Sequence, residues 1–268
     1  MLMDHKLIFD KLWKEYSETN PSANHIHSLL EERGEKIIND HVAFRTYDIP
    51  GIDIKALSTP FIKAGYVEKG EYFFEKKRLR AKHYEHSSDP LAPKVFISEL
   101  ITSDFSEAIQ AAARKVAKHT LASIKNSDDI IFALTPWKRT SYETYKELLE
   151  ESEYAAWMYV WGFRANHFTI FINHLEKFDS IETLNTFLKE NGYNLNTSGG
   201  EIKGSREQLL RQSSTLADMV AVKFTEGSHN IPCCYYEFAE RFEKTEGNLY
   251  TGFIASSADK IFESTDAR

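Results

Sequence analysis

Two segments of the chain repeat each other around a histidine. The first runs from His41 to Phe44 and is followed, after a loop and an apolar helical pattern, by Gly65. The second runs from His167 to Ile170 and is followed in the same way by Gly192, with histidine-to-glycine spacings of 24 and 25 residues. Such a repeat indicates two copies of one structural unit, so the two histidines are expected at equivalent positions.

A glutamate closes a proline-led apolar segment in each copy. The segments are Pro93–Glu99 and Pro232–Glu237, which matches Glu99 with Glu237. A carboxylate within an apolar strand is costly to bury unless it is paired or bound to a metal. Imidazole and carboxylate groups together can bind a divalent cation, so the repeat predicts two half-sites that face one pocket.

The strand predicted around the first histidine carries an arginine on the same face. Alternate side chains of a strand share a face, so His41 and Arg45 point the same way, about 13 Å apart along the strand. One ligand could touch a metal on His41 and also the Arg45 guanidinium, whose fork matches two carboxylate oxygens. The alternative is a core histidine beside a structural ion pair, which uses the same residue types.

Four side chains are therefore candidate metal ligands: His41, Glu99, His167 and Glu237. Two histidines and one carboxylate that leave positions open form the facial arrangement of non-haem Fe(II) oxygenases. Zinc accepts the same ligands, and spacing alone does not select the metal. For Glu237 the alternative is a salt bridge to Arg241 or Arg164.

Three other polar clusters have weaker claims to function. The run Gln212–Thr215 could line a pocket, but a cap and turn is the expected role of such residues. The run Lys76–Arg80 is typical of a solvated edge strand. The run His83–His86 resembles a metal motif but leads into a turn, so it is not expected to supply ligands.

The remaining pattern predicts one α+β domain over residues 1–268. Helical periodicity predicts a helical N-terminal extension (1–35). It is followed by a first module (36–120), a helical connection (121–163) and a second module (164–268). Within each module a strand precedes a helix that ends at its glycine, and further strands follow. The segment 153–161 fits a helix or a strand. The two modules are expected to share one sheet.

Composition narrows the class of protein. Apolar residues make up 42% of the 268 residues, and the net charge is -7 with charged residues spread along the chain. An acidic chain of this kind is not expected to bind nucleic acid, which requires a basic surface. No apolar run is long enough to span a bilayer, and the N-terminal residues do not read as a signal peptide. The adjacent Cys233 and Cys234 are expected to be reduced, which favours a cytoplasmic location.

Five motifs of the chain resemble one known family. They occur in this order: Asp40–Thr46, Arg164–Thr169, Gln212–Thr215, Tyr236–Arg241 and Ala258–Thr265. Together they are similar to the 2-oxoadipate dioxygenase/decarboxylase family, also called hydroxyglutarate synthase. That family resembles the vicinal-oxygen-chelate superfamily, whose duplicated βαβββ modules form a curved half-barrel sheet, here with added helices.

The resemblance implies a ligand set and a reaction. Its metal ligands fall on His41, His167 and Glu237 and bind Fe(II), and its substrate-carboxylate arginine falls on Arg45. The implied reaction takes a small 2-oxo dicarboxylic acid and O₂ and releases CO₂, so that 2-oxoadipate gives 2-hydroxyglutarate. Three roles are open for Glu99: a fourth, weak ligand, a partner behind the ligands, or a plain core carboxylate. The second is expected, because a fourth protein ligand would close a position that the reaction needs.

Two other functions remain open at this point. The same scaffold could carry a metal-dependent hydrolase, isomerase or lyase, or it could be a non-catalytic module that binds a small ligand. The sequence also leaves the true substrate and the oligomeric state open.

Overall fold

The first half of the chain folds as a strand, a helix and three further strands. In the computed structural model, which describes residues 4–137 and 140–265, two helices precede this unit and one follows it. The elements are α1 His5–Thr19, α2 Pro21–Glu32, β1 Asn39–Tyr47, α3 Ile54–Lys63, β2 Tyr66–Phe74, β3 Leu79–His86, β4 Lys94–Leu100 and α4 Glu107–Ser123. The Asp53 side chain caps the N-terminus of α3, and Gly65, with φ of 101°, allows the turn that ends it.

The second half repeats this order with one insertion, the hairpin of β8 and β9. Two helices connect the halves, and a short helix ends the described chain. The elements are α5 Tyr142–Glu151, α6 Glu153–Trp161, β5 Ala165–Phe171, α7 Ile181–Glu190, β6 Lys203–Ser205, β7 Leu210–Ser214, β8 Met219–Lys223, β9 Ser228–Pro232, β10 Tyr235–Arg241, β11 Glu243–Thr245, β12 Asn248–Leu249 and α8 Ala255–Phe262. Ser180 caps α7, and Gly192 follows it, as the repeat predicts.

One eight-stranded sheet contains both halves. Its order is β2-β3-β4-β1-β5-β10-β7-β6, so each half contributes four neighbouring strands. The halves join where β1 pairs with β5 in antiparallel direction, and each of these strands has a parallel neighbour on its other side, β4 and β10. The sheet curls into a half-barrel, which confirms the predicted α+β class and its shared sheet.

The two faces of the central strands have different neighbours. On one face the rings of Phe168 and Tyr236 contact Trp13 of α1, at centroid distances of 5.1 and 5.7 Å. Helices α1 and α2 therefore cover that face with apolar side chains. Because side chains alternate along a strand, His167 and Glu237 point to the other face. The strand period thus separates the helix-covered core from the face that holds the candidate ligands.

Some local expectations change in the structure. The ambiguous segment 153–161 is the helix α6, and every residue from Tyr154 to Trp161 is buried, which explains its uniformly apolar sequence. Residues 75–78 form the turn between β2 and β3, and Leu79 and Arg80 begin β3, which lies between β2 and β4. The expectation of an edge strand over Lys76–Arg80 is therefore wrong, and the edge strand at this end of the sheet is β2.

Two further sequence expectations concern the cysteines and the membrane. Cys233 and Cys234 are both free and buried. Among residues 4–137 and 140–265, no helix combines the length and apolar character that a bilayer crossing needs. The division of the chain into an extension, two modules and a connection stays a prediction.

Candidate metal centre

The two repeated histidines meet where the halves join. In the β1–β5 pair, Ala43 lies opposite His167 and His41 lies opposite Thr169, so the histidines are diagonal neighbours on one face. Their Nε2 atoms are 3.4 Å apart, and both side chains are almost completely buried, with residue exposures of 2% and 4%. The convergence that the repeat predicts is therefore present in the fold.

Glu237 completes a group of three. In the parallel pair of β5 and β10 it lies beside Thr169, on the same face as the histidines. Its Oε1 is 3.5 Å from His41 Nε2, and its Oε2 is 3.1 Å from His167 Nε2. One ligand atom from each of the three residues lies within 4.8 Å of the others. In residues 4–137 and 140–265 this is the one group of three or more His, Cys, Asp or Glu side chains with such spacing.

The chemistry of the three groups fits a divalent metal. Burial lowers the pKa of His41 and lowers that of His167 well below its ordinary value, so both imidazoles are neutral, as metal ligands must be. Burial also raises the pKa of Glu237 to about 8, and Glu237 Oε2 is buried without a hydrogen-bond partner. A carboxylate left in this state is unfavourable until a cation compensates it. A cation held between the three residues would compensate it.

Each histidine is held by the residue that precedes it. His41 Nδ1 lies 2.8 Å from Asp40 Oδ1, and His167 Nδ1 lies 3.0 Å from Asn166 Oδ1. An acceptor at Nδ1 fixes the tautomer in which Nε2 has a free lone pair, and metal-binding histidines usually have such a partner. The two halves differ here, because the partner is a carboxylate in one and an amide in the other.

Asp40 itself belongs to a buried ion pair. Arg241 donates from Nε to Asp40 Oδ2 at 2.5 Å and from Nη2 to Oδ1 at 2.8 Å, and Lys94 Nζ is 3.8 Å from Oδ2. Although burial raises it, the pKa of Asp40 is held well below its ordinary value by Arg241 and Lys94. The carboxylate behind His41 is therefore charged. The sequence suggested Arg241 as a partner of Glu237, whereas in the structure Arg241 pairs with Asp40.

Gln212 lines the cavity at the three converging residues, which is the alternative that the sequence left open for the run Gln212–Thr215. The expected cap and turn at Gln212–Thr215 is instead mostly strand β7, which pairs with β10. Gln212 Nε2 donates to Glu237 Oε1 at 2.5 Å, so it orients the carboxylate. The signal available in the sequence was Leu210, a buried apolar residue that begins β7.

The register of the sheet also corrects the pairing of the two glutamates. Glu237 lies beside Thr169, two residues beyond the histidine of its own half. The residue beside Ala43, two beyond the other histidine, is Phe96, which is therefore the equivalent of Glu237. Glu99 is three positions further along β4, and an odd offset places a strand residue on the opposite face.

Glu99 consequently has a structural role. Its Oε2 accepts the backbone N–H of Ile54 at 3.0 Å at the start of α3, and its Oε1 is 3.1 Å from Arg80 Nη2. The expectation that Glu99 stands behind the metal ligands is wrong. An open groove of about 750 Å³ lies beside it, but none of the three converging residues lines this groove. The motif at His83–His86 also stays outside the group: His83 Nε2 is 3.1 Å from Glu85 Oε1.

Arg45 lies on the same strand face as His41 but is already paired. Its Nη1 donates to Glu153 Oε1 at 2.8 Å, and its Nη2 donates to Thr265 Oγ1 at 2.8 Å. The guanidinium also lies over the rings of Trp157 and Phe262, at 5.0 and 5.7 Å from the centroids. Its Nε is buried without a partner. A substrate role for Arg45 stays a prediction.

The cavity at the three converging residues is small. It measures about 20 Å³, which is room for about one water molecule. Its other walls are apolar side chains and Gln212: Phe96, Phe253, Ile261 and Phe262. Phe253 packs edge-on against the His41 ring at 4.8 Å. The segment that contains α8 therefore covers the candidate metal centre.

The chain is similar over nearly its whole length to several known proteins. It is 36% identical to the 2-oxoadipate dioxygenase/decarboxylase, chloroplastic/amyloplastic, of Oryza sativa subsp. japonica, over 97% of this chain and 78% of that protein. The crystal structure of rice hydroxyglutarate synthase in complex with 2-oxoadipate matches with a TM-score of 0.89 and 34% identity, covering 97% of this chain and 91% of that one. A structure from Shewanella frigidimarina NCIMB 400, provisionally described as a hydrolase, matches with a TM-score of 0.88 and 48% identity, covering 95% and 99%.

A family model gives the same relationship directly. The model described as HGLS: 2-oxoadipate dioxygenase/decarboxylase matches residues 8–245, which include all three converging residues. The fold is of the vicinal-oxygen-chelate type that the sequence resemblance implied. The chain belongs to the 2-oxoadipate dioxygenase/decarboxylase family.

Proposed function

We propose that the protein is an Fe(II)-dependent dioxygenase that decarboxylates a 2-oxo acid, with 2-oxoadipate and O₂ as substrates and 2-hydroxyglutarate and CO₂ as products. The observation that carries this proposal is the buried group of His41, His167 and Glu237, whose ligand atoms lie within 4.8 Å of one another. Family membership supports the reaction, and the two-histidine, one-carboxylate set supports iron.

The three residues would hold the metal from one side. The cavity lies beside these three side chains, which are on β1, β5 and β10. When bound there, Fe(II) would supply coordination positions for a bidentate 2-oxo acid and for O₂, and the oxo acid, as it loses CO₂, would supply the electrons that reduce O₂. Asp40 and Asn166 hold the Nδ1 atoms of the histidines, and Gln212 orients the carboxylate. These residues keep the metal site preorganised before substrate arrives.

The cavity walls would exclude water and select the substrate. Phe96, Phe253 and Phe262 present apolar surface that suits the methylene chain of a six-carbon acid. Arg45 would hold a carboxylate and thereby fix the angle of the acid at the metal. A cavity of about 20 Å³ cannot contain such an acid, so α8 and Phe262 have to withdraw when it binds.

A hydrolase, isomerase or lyase that uses another metal is the second candidate. Zinc accepts the same three ligands, and the Shewanella relative carries a provisional hydrolase description. A non-catalytic binding module is the third. The cytoplasmic location and the absence of a nucleic-acid partner stay predictions.

The test is anaerobic reconstitution with Fe(II), followed by addition of 2-oxoadipate and O₂. We expect O₂ uptake matched by release of CO₂ and formation of 2-hydroxyglutarate. His167→Ala should abolish turnover and metal retention, whereas His174→Ala, at an exposed histidine just beyond β5, should change neither. Absence of O₂ uptake with several 2-oxo acids, despite bound iron, would refute the reaction. Firmly bound zinc without iron-dependent turnover would favour the second candidate, and ligand affinity that survives His167→Ala would favour the third.

A further inference from the structure

Unpartnered buried polar atoms concentrate around the metal centre. Seven buried side-chain atoms of the described residues have no hydrogen-bond partner, and five of them belong to residues at or next to the centre. These five atoms are Arg45 Nε, Asn166 Nδ2, Gln212 Oε1, Tyr235 OH and Glu237 Oε2. Leaving a buried donor or acceptor unsatisfied costs about 1–3 kcal/mol, so such atoms indicate where a ligand contributes bonds.

The buried hydroxyl of Tyr235 has no hydrogen-bond partner among the neighbouring residues. Tyr235 precedes Glu237 by two residues on β10 and therefore shares its face. Its ring stacks on the His167 ring at a centroid distance of 4.7 Å and an angle of 26°, and the residue is 1% exposed. The next residue, Tyr236, points to the other face, where its hydroxyl lies 3.3 Å from His27 Nδ1. Only the hydroxyl on the side of the metal centre lacks a partner.

The strand directions place Tyr235 and Arg45 at the same end of the site. Strand β1 is antiparallel to β5, and β5 is parallel to β10, so β1 and β10 run in opposite directions. Arg45 is four residues after His41 on β1, and Tyr235 is two residues before Glu237 on β10. Because the two strands run in opposite directions, both residues are displaced from the metal ligands toward the same end of the site. The offsets are about 13 and 7 Å along the strands. A molecule that extends from the metal in this direction reaches Tyr235 first and Arg45 next.

The free groups at that end are donors. Arg45 offers its unpartnered Nε–H, and Tyr235 offers its O–H. A guanidinium N–H with a hydroxyl beside it suits an anionic group, and a carboxylate is the anionic group of the proposed substrate class.

We propose that Tyr235 is a substrate-binding residue whose hydroxyl donates a hydrogen bond to the carboxylate of a 2-oxo dicarboxylic acid that is remote from the metal. This assignment rests on the proposed function. The ring contact with His167 holds the hydroxyl in place, and Arg45 supplies the positive charge beside it. Phe262, which lies over Arg45 and lines the cavity, has to move aside for this contact to form.

The experiment compares Tyr235→Phe with Tyr236→Phe in the full Fe(II)-loaded protein without O₂. Each variant removes one hydroxyl from adjacent buried tyrosines, so Tyr236→Phe is the matched control. Calorimetry measures the dissociation constants of 2-oxoadipate and of 2-oxohexanoate, which lacks the remote carboxylate. We expect Tyr235→Phe to weaken 2-oxoadipate binding by about tenfold or more and to leave 2-oxohexanoate binding within about twofold. Tyr236→Phe should leave both constants unchanged.

Thermal unfolding of the ligand-free protein supplies a readout that does not depend on substrate. Because the Tyr235 hydroxyl has no partner, its removal should leave the melting temperature unchanged or raise it, whereas Tyr236→Phe should lower it. Equal 2-oxoadipate affinity in the wild type and Tyr235→Phe overturns the assignment, as does an equal loss for both acids. If the wild type binds 2-oxoadipate but does not decarboxylate it, the proposed reaction fails while the Tyr235 result still decides the contact. If the wild type binds neither acid, both proposals fail.

Discussion

Replacing Asp40 with asparagine tests how far the metal centre depends on the charge behind His41. The Asp40 side chain is fully buried and accepts three hydrogen bonds from two residues: one from His41 Nδ1 at 2.8 Å and two from the Arg241 guanidinium. Asparagine has the same shape and keeps one acceptor oxygen. It removes the negative charge and turns an N–H group toward the Arg241 guanidinium.

The size of the effect follows from the burial of the pair. Removing one partner of a buried ion pair leaves an uncompensated charge and costs about 3–5 kcal/mol. Loss of a group that holds a metal-binding histidine typically lowers metal affinity by about 10–100-fold. We therefore expect Asp40→Asn to lose about 3–5 kcal/mol of unfolding free energy and about 10–100-fold of Fe(II) affinity.

The assay has to separate these two losses. Urea denaturation of the metal-free protein measures stability, and competition with a chelator under anaerobic conditions measures Fe(II) affinity. Asp40→Asn combined with Arg241→Met removes the uncompensated charge, so it should recover part of the stability and none of the metal affinity. Asn166→Ala removes the neutral acceptor behind His167 and should weaken metal binding less, because a charge-assisted hydrogen bond is the stronger one.

The reasoning is refuted if Asp40→Asn binds Fe(II) as tightly as the wild type. It is also refuted if the single variant unfolds at the wild-type urea concentration, since the buried pair with Arg241 would then contribute nothing. A double variant that regains metal affinity together with stability would mean that Asp40 acts only through folding.

Three other substitutions give independent tests. Glu99→Gln should lower the unfolding free energy by about 1 kcal/mol, through its bond to Ile54, and leave Fe(II) affinity unchanged; a loss of metal in the chelator assay would contradict the structural role. Gly162→Ala should destabilise the protein by on the order of 3 kcal/mol, because φ is +64° and the new Cβ would lie 2.1 Å from the Leu134 carbonyl oxygen; wild-type stability in urea would contradict the strain. Glu237→Gln should reduce Fe(II) affinity by more than the about 100-fold expected when a residue that holds a metal ligand is replaced. It should leave the melting temperature of the metal-free protein unchanged or higher. Retained Fe(II) affinity would remove Glu237 from the ligand set.

The relation between the two halves could be predicted well from sequence because duplication preserves local patterns. His41 and His167 are each followed by the same strand, helix and glycine pattern, so their equivalence needed no knowledge of the fold. The same pattern predicted α3 and α7 and the glycines that follow them. Glu237 could be identified because a carboxylate in an uninterrupted apolar strand has few stable environments.

The pairing of strands decided which glutamate joins the two histidines, and the comparison of the two repeated segments could not. A proline-led segment and a glutamate recur in both halves, but a difference of one residue in spacing turns a strand side chain to the opposite face. Glu99 therefore binds the start of α3, and Phe96 occupies the place of Glu237. Gln212 reached the site in the same way, because pairing with β10 makes a strand of a polar run that resembles a turn.

The sequence by itself determined which side chains could bind a metal, because ligand chemistry and strand alternation are local properties. It could not determine which charged residues pair, because burial and distance depend on elements far apart in the chain. Arg241 binds Asp40, which is 201 positions away, and Arg45 binds Glu153, 108 positions away. Both pairs are set by the packing of the two halves of the chain and of α6. Tertiary structure thus decided which residues hold the histidines and which donors remain free for a ligand.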